Sequence, residues 1–568
     1  MPTPDPSKPL IVHADRSLVL ETFNEQAEAA RVAIAPFVEL EKSPEYLHTY
    51  RISPLSIWNA TSAGYVAEDM LQALEGFAKF PVPANVITEV RDLAGRWGRL
   101  RLLDESGELV LRVGADDAPL LLELTGHDEV RELVGRELGT GGLQVPLAQR
   151  GRLKQVLLGL GWPVQDVAGY QQGRALEICL APDLQLRHYQ TAAAEAFFRA
   201  GSSEGGSGVV VLPPGAGKTV VGIKAMELVG QQTLILTTNR TSVGQWRREL
   251  LEKTSLQPDQ VVEYGSKSRN IGQVTLCTYQ MLAARKRGAD ASYPHMDLFR
   301  RHDWGLLIYD EVHLLPAPVF RLTAEIQARR RLGLTATLIR EDGHEGDVFS
   351  LIGPKRYDAG WRELEREGWI ALVDCCEVRV DMTSELRMDY ALKEPRARFR
   401  FAAENPQKLP LVRSILDLHA SEPTLIIGVY LSQLREVADM LGAPLITGSM
   451  PQERRDELFD EFRAGRIRTL VLSKVGNFAL DLPDASLMVQ VSGTFGSRQE
   501  EAQRMGRLLR PKAPGKGAHF YTLVTRETDE ESFAHNRQRF LTEQGYAYRV
   551  MSADDWLRPK PANLTTLN

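Results

Sequence analysis

Residues 208–219, GVVVLPPGAGKT, decide the fold class of this chain. Their apolar run GVVVL is followed by a glycine loop and then by a helical pattern that continues to Val229, where Gly230 can end the helix. Apolar strands that are separated by helices indicate parallel sheets covered on both faces. The sequence therefore predicts an α/β fold with two successive parallel-sheet units that meet near residue 365. The other apolar runs lie at 233–238, 274–279, 306–311, 333–337, 424–430, 469–473, 487–493 and 519–524.

A different pattern precedes this alternation. Two short strands and a helical pattern at 24–42 come first, and three helical stretches follow between 53 and 97. Residues 98–114 alternate on either side of Glu105-Ser106-Gly107, which indicates a β-hairpin. Helices followed by a hairpin are compatible with a winged-helix-like module or with a general α+β domain. We expect small α+β domains at 1–75 and 76–180, parallel-sheet units at 181–365 and 366–550, and a tail at 551–568.

The composition limits the function. The 568 residues suffice for three or four domains of about 150 residues. With 68 basic and 74 acidic residues the net charge is −6, which excludes bulk charge as the means of holding nucleic acid but permits a local basic groove. Four cysteines without C-x-x-C spacing argue against a disulfide framework, a zinc site and an iron–sulfur cluster, and the pair Cys375–Cys376 is expected to serve packing. Without an apolar run that could span a membrane or a signal core, we expect a cytoplasmic protein.

The loop PPGAGKT at 213–219 predicts a phosphate site. Gly215 and Gly217 permit backbone conformations in which consecutive N–H groups converge on phosphate oxygens, and the following helix adds its positive N-terminal end. Lys218 would reach the β- and γ-phosphates of a nucleotide, and Thr219 would hold Mg²⁺. Leu212 stands where the first glycine of the full motif would be. The alternative is a glycine turn with a solvated lysine.

Two adjacent acids in YDEVH (309–313) would complete such a site. They end an apolar strand, and α/β sheets bind ligands at the carboxyl ends of their strands. Asp310 is suited to holding Mg²⁺, and Glu311 to orienting or deprotonating an attacking water. His313 is a candidate for coupling the nucleotide site to a nucleic-acid site. Two solvated acids at the end of a strand are the alternative.

A basic helical pattern, EEAQRMGRLLRPK, occupies 500–512. Arg504, Arg507 and Arg510 recur every three residues, so a helix would place them on or near one face. The arginines form either a solvated stripe or a site in which Arg507 and Arg510 act as arginine fingers on the γ-phosphate held by the first unit. In the second case, closure and opening of the two units would be coupled to hydrolysis.

Together with LRHYQ (186–190), TTNRTSVGQW (237–246) and LGLTATLIRED (332–342), these motifs resemble those of superfamily-two helicases. DEVH, LIGPKRYDA (351–359) and FGSRQEEAQRMGRLLRP (495–511) narrow the resemblance to the XPB family of DNA helicases. The near match covers about 186–546, and HTYRISPLSIWNATSAG (48–64) is similar to the N-terminal region of the family. The resemblance implies two RecA-like domains that use ATP and Mg²⁺.

The resemblance also implies roles for single residues. Gln190 should contact adenine with Arg187 nearby, and Thr335 and Thr337 should transmit the nucleotide state to the nucleic-acid track. Asp481 should lie near the ribose or the interface of the units. The remaining residues expected at the nucleotide are Pro214, Ala216, Gln503 and Arg504.

The expected nucleic-acid contacts are less specific. Arg340, Glu341 and Asp342 match an R-E-D element implicated in strand separation, although a solvated charged loop explains them equally well. A short thumb-like insert at about 381–408 contains KEPRARFRF, a basic and aromatic mixture suited to phosphate contact and base stacking, with a polar edge strand or hairpin as the alternative. The segment 76–180 corresponds to the damage-recognition domain of the family. The other candidate contacts are Arg240, Thr278, Arg396, Arg398, Phe399 and Arg400.

We therefore expect an ATP- and Mg²⁺-dependent DNA helicase, and the resemblance implies 3′–5′ polarity and a role in repair or transcription. Single-stranded and duplex DNA would be its substrates, and a repair nuclease or a transcription or repair factor its partner. The alternatives are a duplex translocase that does not unwind, an RNA helicase, and a nucleotide-switched scaffold that recruits a nuclease. DEVH in place of DEAD argues against the RNA helicase, and intact Lys218, Asp310 and Glu311 argue against an inactive ATPase.

Overall fold

The chain forms two compact units in a computed structural model. The first unit consists of Met1–Leu212 and Gly217–Ala359, and the second of Pro213–Ala216 and Gly360–Asn568. None of the described helices is long and apolar enough to cross a membrane. The structure describes residues 4–42, 46–114, 117–139, 141–168, 173–202, 205–266, 268–282, 284, 295, 302–314, 328–336, 345–359, 361–473, 485–493, 506, 508, 517–543 and 548–557.

Each unit contains a parallel sheet with seven described strands, which confirms the predicted fold class. In the first unit the strand order is Val261–Glu263, Val274–Thr278, Thr233–Thr237, Trp304–Asp310, Ala328–Thr335, Ser207–Val211 and Lys355–Asp358. In the second unit it is Leu445–Ile446, Thr469–Leu472, Thr424–Ile427, Leu487–Gln490, Ala518–Thr525, Val373–Val380 and Tyr548–Ser552.

Helices connect these strands, as parallel pairing requires. The central strands are buried along almost their whole length, because helices cover both faces of the sheets. Helices of the first parallel-sheet region are His188–Phe198, Lys218–Val229, Arg240–Lys253, Tyr279–Leu282 and Glu345–Leu351. Those of the second unit are Trp361–Arg366, Ser384–Leu392, Pro395–Ala403, Lys408–Leu418, Leu431–Leu441, Gln452–Arg463, Asp529–Glu543 and Ala553–Leu557.

An antiparallel sheet and three helices share one core at the start of the chain. The sheet order is Leu10–Val12, Ser17–Glu21, Leu47–Arg51 and Glu39–Lys42, and the helices are Pro54–Ala63, Ala67–Phe77 and Ala84–Arg96. The three predicted helices are confirmed. Ser53 caps the first by accepting a hydrogen bond from the Ser56 N–H, and Gly64 ends it with φ 109°.

The predicted hairpin is also confirmed, with strands Leu100–Glu105 and Glu108–Val113. It belongs to a second four-stranded sheet, in the order Gly142–Gln144, Glu108–Val113, Leu100–Glu105 and Val164–Asp166. The helices Ala118–Thr125, Asp128–Arg131 and Arg150–Gly159 lie in the same region, whose core is separate from that of the three earlier helices. Because helices and hairpin pack into different cores, the structure favours a general α+β domain over a winged-helix-like module. The exact domain boundaries stay predictions.

One local prediction and one alternative are wrong. The helix predicted at 24–42 is confined to Ala27–Ile34, since a 3₁₀ turn that contains Pro36 follows and strand Glu39–Lys42 then pairs with Leu47–Arg51. The polar strand or hairpin considered for the thumb-like insert is absent from 381–408, all of which is described, because Ser384–Leu392 and Pro395–Ala403 are helices. Cys375 and Cys376 are buried in strand Val373–Val380, as the packing hypothesis predicts.

Candidate nucleotide site

The predicted phosphate loop joins strand Ser207–Val211 to helix Lys218–Val229. Gly215 and Gly217 have φ values of 83° and 84°, in the left-handed region that favours glycine. A Cβ atom on Gly217 would also lie only 2.4 Å from Nε2 of Gln190, so a larger residue would have to displace the Gln190 side chain. Leu212, which replaces the first glycine of the motif, is buried and donates its N–H to the Thr335 carbonyl over 3.0 Å. It therefore extends the sheet and leaves the tight turn to the two later glycines.

Gln190, which the resemblance expects at adenine, lies beside this loop. It is in the first turn of helix His188–Phe198, where its Oε1 accepts the Arg187 N–H over 3.0 Å. The side chain is buried, and its amide nitrogen faces Gly217. Nη1 of Arg187 donates to the Tyr189 hydroxyl over 2.9 Å. The structure thus brings Gln190 to the phosphate loop, and the backbone of Arg187 contacts the Gln190 side chain.

Lys218 and the two acids also come together. Asp310 ends strand Trp304–Asp310, and Glu311 follows with φ 51°, a value that is uncommon for a residue with a side chain. Nζ of Lys218 lies 3.1 Å from Oε1 of Glu311, and the two side chains are only 11% and 23% exposed. Oε2 of Glu311 is buried and has no hydrogen-bond partner among the described residues. This pairing joins the phosphate-loop helix to the carboxyl end of the strand, as predicted.

The two carboxyl groups have opposite pKa shifts. Burial and the neighbouring Glu311 raise the pKa of Asp310 above its ordinary value, and the hydrogen bond from Trp246 opposes them only in part. Burial alone would raise the pKa of Glu311, but Lys218 and then His313 outweigh it, so that the pKa of Glu311 is lowered. Glu311 is therefore an ionised carboxylate, whereas burial, and then the charge of Glu311, disfavour the ionised form of Asp310.

His313 connects this centre to the neighbouring strand. Its Nδ1 lies 2.6 Å from the Thr335 hydroxyl and 3.5 Å from Oε2 of Glu311, and both His313 and Thr335 are buried. Thr335 ends strand Ala328–Thr335, directly before the segment that contains Thr337. The predicted coupling residues His313 and Thr335 are therefore in contact, and His313 is close to Glu311 as well.

Sequence reasoning missed two supports of Asp310. Nε1 of Trp246 donates to Oδ2 of Asp310 over 3.0 Å, and the Tyr279 hydroxyl donates to its backbone carbonyl over 2.7 Å. A Cβ on Gly222 would lie 2.6 Å from the Trp246 ring, which shows how closely helix Lys218–Val229 packs on the indole. Trp246 ends the quoted motif TTNRTSVGQW, so its place in a family motif was the available signal.

The structure describes some of the residues that were expected to contact nucleic acid. Nη2 of Arg240 bonds the Ser266 hydroxyl over 2.6 Å at the start of helix Arg240–Lys253, and Thr278 ends strand Val274–Thr278. Phe399 is 3% exposed and packs edge-on against Phe533 at 5.0 Å, so the expectation that its ring stacks on a base is wrong.

The arginines of the insert have partners within the protein. Arg398 donates to the carbonyls of Lys393 and Ala391, and Arg400 pairs with Glu404. The side chain of Arg396 lies outside the described residues. So do Thr337, Arg340, Glu341, Asp342, Asp481, Gln503, Arg504, Arg507 and Arg510, whose expected roles stay predictions.

Three family models match the chain. One for the ERCC3/RAD25/XPB C-terminal helicase matches 364–564, one for a helicase conserved C-terminal domain matches 10–139, and one for the res subunit of type III restriction enzymes matches 183–340.

Relatives match over nearly the whole chain. A protein of Mycobacterium tuberculosis named DNA 3′-5′ helicase XPB is 52% identical over 97% of this chain and 99% of its own length. One of the same name from Kineococcus radiotolerans is 51% identical over 96% of this chain and 97% of its own length. In Antonospora locustae, the general transcription and DNA repair factor IIH helicase/translocase subunit XPB is 35% identical over 97% of this chain and 82% of its own length.

Proposed function

The chain belongs to the XPB family of DNA helicases, and from that membership we propose how its residues use ATP to open DNA. It is an ATP-driven DNA 3′–5′ helicase. The observation that carries the proposal is the contact of Lys218 with Glu311, at the point where the phosphate-loop helix meets the carboxyl end of a parallel strand. Lysine, a glycine loop and two adjacent acids are the parts that a nucleoside triphosphatase needs.

Lys218 and Glu311 have different roles in this proposal: Lys218 binds phosphate and Glu311 activates water. Lys218 would exchange its contact with Glu311 for the β- and γ-phosphates of ATP, and the freed carboxylate would orient and deprotonate the attacking water. The lowered pKa of Glu311 supports this role, because the carboxylate is ionised and ready to accept a proton. Gln190 would hold adenine, and the N–H groups of 214–217 would bind phosphate oxygens.

A magnesium ion fits the remaining groups. Asp310 is buried beside the carboxylate of Glu311, so a divalent cation would balance charge at this point, and Thr219 and Asp310 offer the hard oxygen ligands that Mg²⁺ prefers. When bound, Mg²⁺ would neutralise charge on the transferring phosphoryl group. Trp246 and Tyr279 would keep Asp310 in position for this task.

The remaining roles rest on the family resemblance. Arg507 and Arg510 would stabilise the charge that develops during hydrolysis, while Asp481, Gln503 and Arg504 would contact the nucleotide. His313 contacts Thr335, and this contact supports a coupling role for both residues. Through it, the presence of the γ-phosphate would alter the segment that follows Thr335. Arg340, Glu341 and Asp342 would then act on the strands at the junction.

DNA would be held mainly through its phosphates. Arg240, Thr278, Arg398 and Arg400 are described at or near the surface, and contacts of this type give weak sequence preference and strong salt dependence. The name of the Antonospora relative supports the proposal that a transcription or repair factor is a partner. A repair nuclease as partner stays a prediction. A duplex translocase is the second candidate, because the same name includes translocase. The cytoplasmic location stays a prediction.

ATP hydrolysis in the presence of different nucleic acids tests the proposal. The full chain should hydrolyse ATP faster with DNA than with RNA, and Glu311→Gln should bind ATP yet turn over at least about 10²-fold more slowly, since a positioned base is lost. Near-normal hydrolysis by Glu311→Gln would refute its assignment. Stronger stimulation by RNA would favour the RNA helicase.

A further inference from the structure

Three side chains of types that can bind a metal ion lie close together in the second unit, at the amino ends of its parallel strands. His519 is the second residue of strand Ala518–Thr525, and Glu422 stands two residues before strand Thr424–Ile427. His419 directly follows helix Lys408–Leu418. Ligands of α/β sheets bind at the opposite, carboxyl ends of the strands. The cluster is therefore separate from the edge where this sheet would meet a nucleotide.

Three potential ligand atoms converge in this cluster. One nitrogen each from His419 and His519 and one carboxylate oxygen of Glu422 all lie within 4.8 Å of one another. Nδ1 of His419 is 3.9 Å from Oε1 of Glu422, and the centroids of the two imidazole rings are 4.4 Å apart. Tetrahedral coordination with bonds of about 2.0–2.1 Å separates ligand atoms by roughly 3.3 Å, so small side-chain rotations would close the site.

Neighbouring groups already orient these ligands. Nε2 of His419 lies 3.0 Å from the Tyr521 hydroxyl, and when it donates its proton there, the lone pair of Nδ1 faces Glu422. The Glu422 N–H donates to the His419 carbonyl over 3.0 Å, which closes the turn HASE (419–422) and fixes the spacing of the two residues. A hydrogen bond on the second ring nitrogen is the usual support of a metal-binding histidine.

Two atoms of the cluster make no hydrogen bond to the described residues. Oε2 of Glu422 and Nδ1 of His519 are buried and have no hydrogen-bond partner among the described residues. The oxygen Oδ2 of Asp374, which pairs with Arg549 over 3.0 Å, is 3.8 Å from Nδ1 of His519 and so beyond hydrogen-bond distance. Buried polar atoms are nearly always hydrogen-bonded, so such a pair calls for an explanation. A bound cation would supply one.

We propose that His419, Glu422 and His519 bind one divalent transition-metal ion of the Zn²⁺ class. Two imidazole nitrogens with one carboxylate oxygen form a ligand set that suits Zn²⁺, and water or Asp374 can fill a fourth position. The ion would tie the end of helix Lys408–Leu418 and the following turn to strand Ala518–Thr525. Its role is to stabilise the second unit rather than to take part in hydrolysis.

Metal titration of the full chain tests this site. The protein is freed of metal with a chelator, and Co²⁺ and then Zn²⁺ are added without nucleotide and with excess Mg²⁺ to occupy oxygen-only sites. One equivalent of Co²⁺ should give the visible absorption band of a tetrahedral complex, and Zn²⁺ should displace it. Absence of a saturable band in the unmodified chain would overturn the proposal, whatever the fate of any variant.

Substitutions within the cluster test whether the ion binds there. Glu422→Gln and His519→Gln should each weaken binding of Zn²⁺ at least about 10-fold, the scale on which even supporting residues of metal sites act. His127→Gln, which alters an exposed histidine of the first unit, should bind Zn²⁺ as the unmodified chain does. Equal affinity in the two cluster variants and the unmodified chain would show that the ion binds elsewhere and would overturn the assignment.

Discussion

Replacement of Trp246 by phenylalanine isolates the hydrogen bond that positions Asp310. The indole donates to Oδ2 over 3.0 Å, and Trp246 is 1% exposed, so water cannot easily replace the lost donor. A hydrogen bond to a charged group contributes about 1.5–3 kcal/mol. If the ionised Asp310 is needed in the transition state, Trp246→Phe should lower kcat/KM for ATP by about 10- to 150-fold, at about 1.36 kcal/mol per tenfold.

The matched control is Trp58→Phe. Trp58 is similarly buried, and its Nε1 donates over 3.0 Å to the Leu93 carbonyl in the N-terminal core. Trp58→Phe loses the same indole N–H donor as Trp246→Phe. The free energy of unfolding of Trp58→Phe should therefore fall, while its kcat/KM stays near the value of the unmodified chain. Steady-state ATPase assays at a temperature where both variants are folded decide the matter. Unchanged kcat/KM in Trp246→Phe, or an equal loss in Trp58→Phe, would refute the role of this hydrogen bond.

Two further predictions concern hydrolysis and stability. Arg507→Ala should lower the rate of ATP hydrolysis by about 10³-fold or more while DNA binding stays nearly unchanged, because an arginine finger acts on the transition state; comparable losses in both assays would indicate a DNA contact instead. Asp166→Asn should lower the free energy of unfolding by about 3–5 kcal/mol at pH 7 in urea titrations, since it leaves the buried Arg150 and Lys154 without their carboxylate. These cations hold the pKa of Asp166 well below its usual range despite its burial, so the difference should persist at neutral pH and shrink as the pH falls below about 4, where the unfolded chain gains the proton. Asp128→Asn, which breaks an exposed pair, should cost under about 1 kcal/mol, and an equal effect of the two substitutions would contradict the prediction.

The geometry of the candidate nucleotide site could be predicted because each of its parts is a local pattern with a fixed place in the topology. Gly217 and Lys218 follow one apolar strand, and Asp310 ends another with Glu311 directly after it. Since the carboxyl ends of parallel strands share one edge of a sheet, these residues had to meet. The contact of Lys218 with Glu311 is the outcome.

Contacts between distant segments could not be predicted in this way. The hydrogen bond from Trp246 to Asp310 depends on how a helix packs across the sheet, which no short pattern encodes. His419 and His519 are brought together by the helix end and the strand start, so an argument from cysteine spacing and local histidines could not reveal a metal site.

Ambiguous periodicity explains the remaining errors. An alternation of arginine and phenylalanine at 396–401 fits a strand, yet a helix that buries Phe399 against Phe533 satisfies the same residues. At 24–42 the apolar spacing suggested one long helix, but Pro36 ends it, and the residues after it pair as a strand. In both cases tertiary packing decided between two local structures.

Strand displacement measures the central claim most directly. Duplexes with a 3′ single-stranded tail, a 5′ tail or blunt ends are incubated with the full chain, ATP and Mg²⁺, and with Lys218→Ala as the inactive control. The account predicts ATP-dependent release of the strand from the 3′-tailed duplex, little release from the other two, and none by Lys218→Ala. Rapid DNA-stimulated hydrolysis without release from any duplex would contradict it and favour a translocase or a nucleotide-switched scaffold.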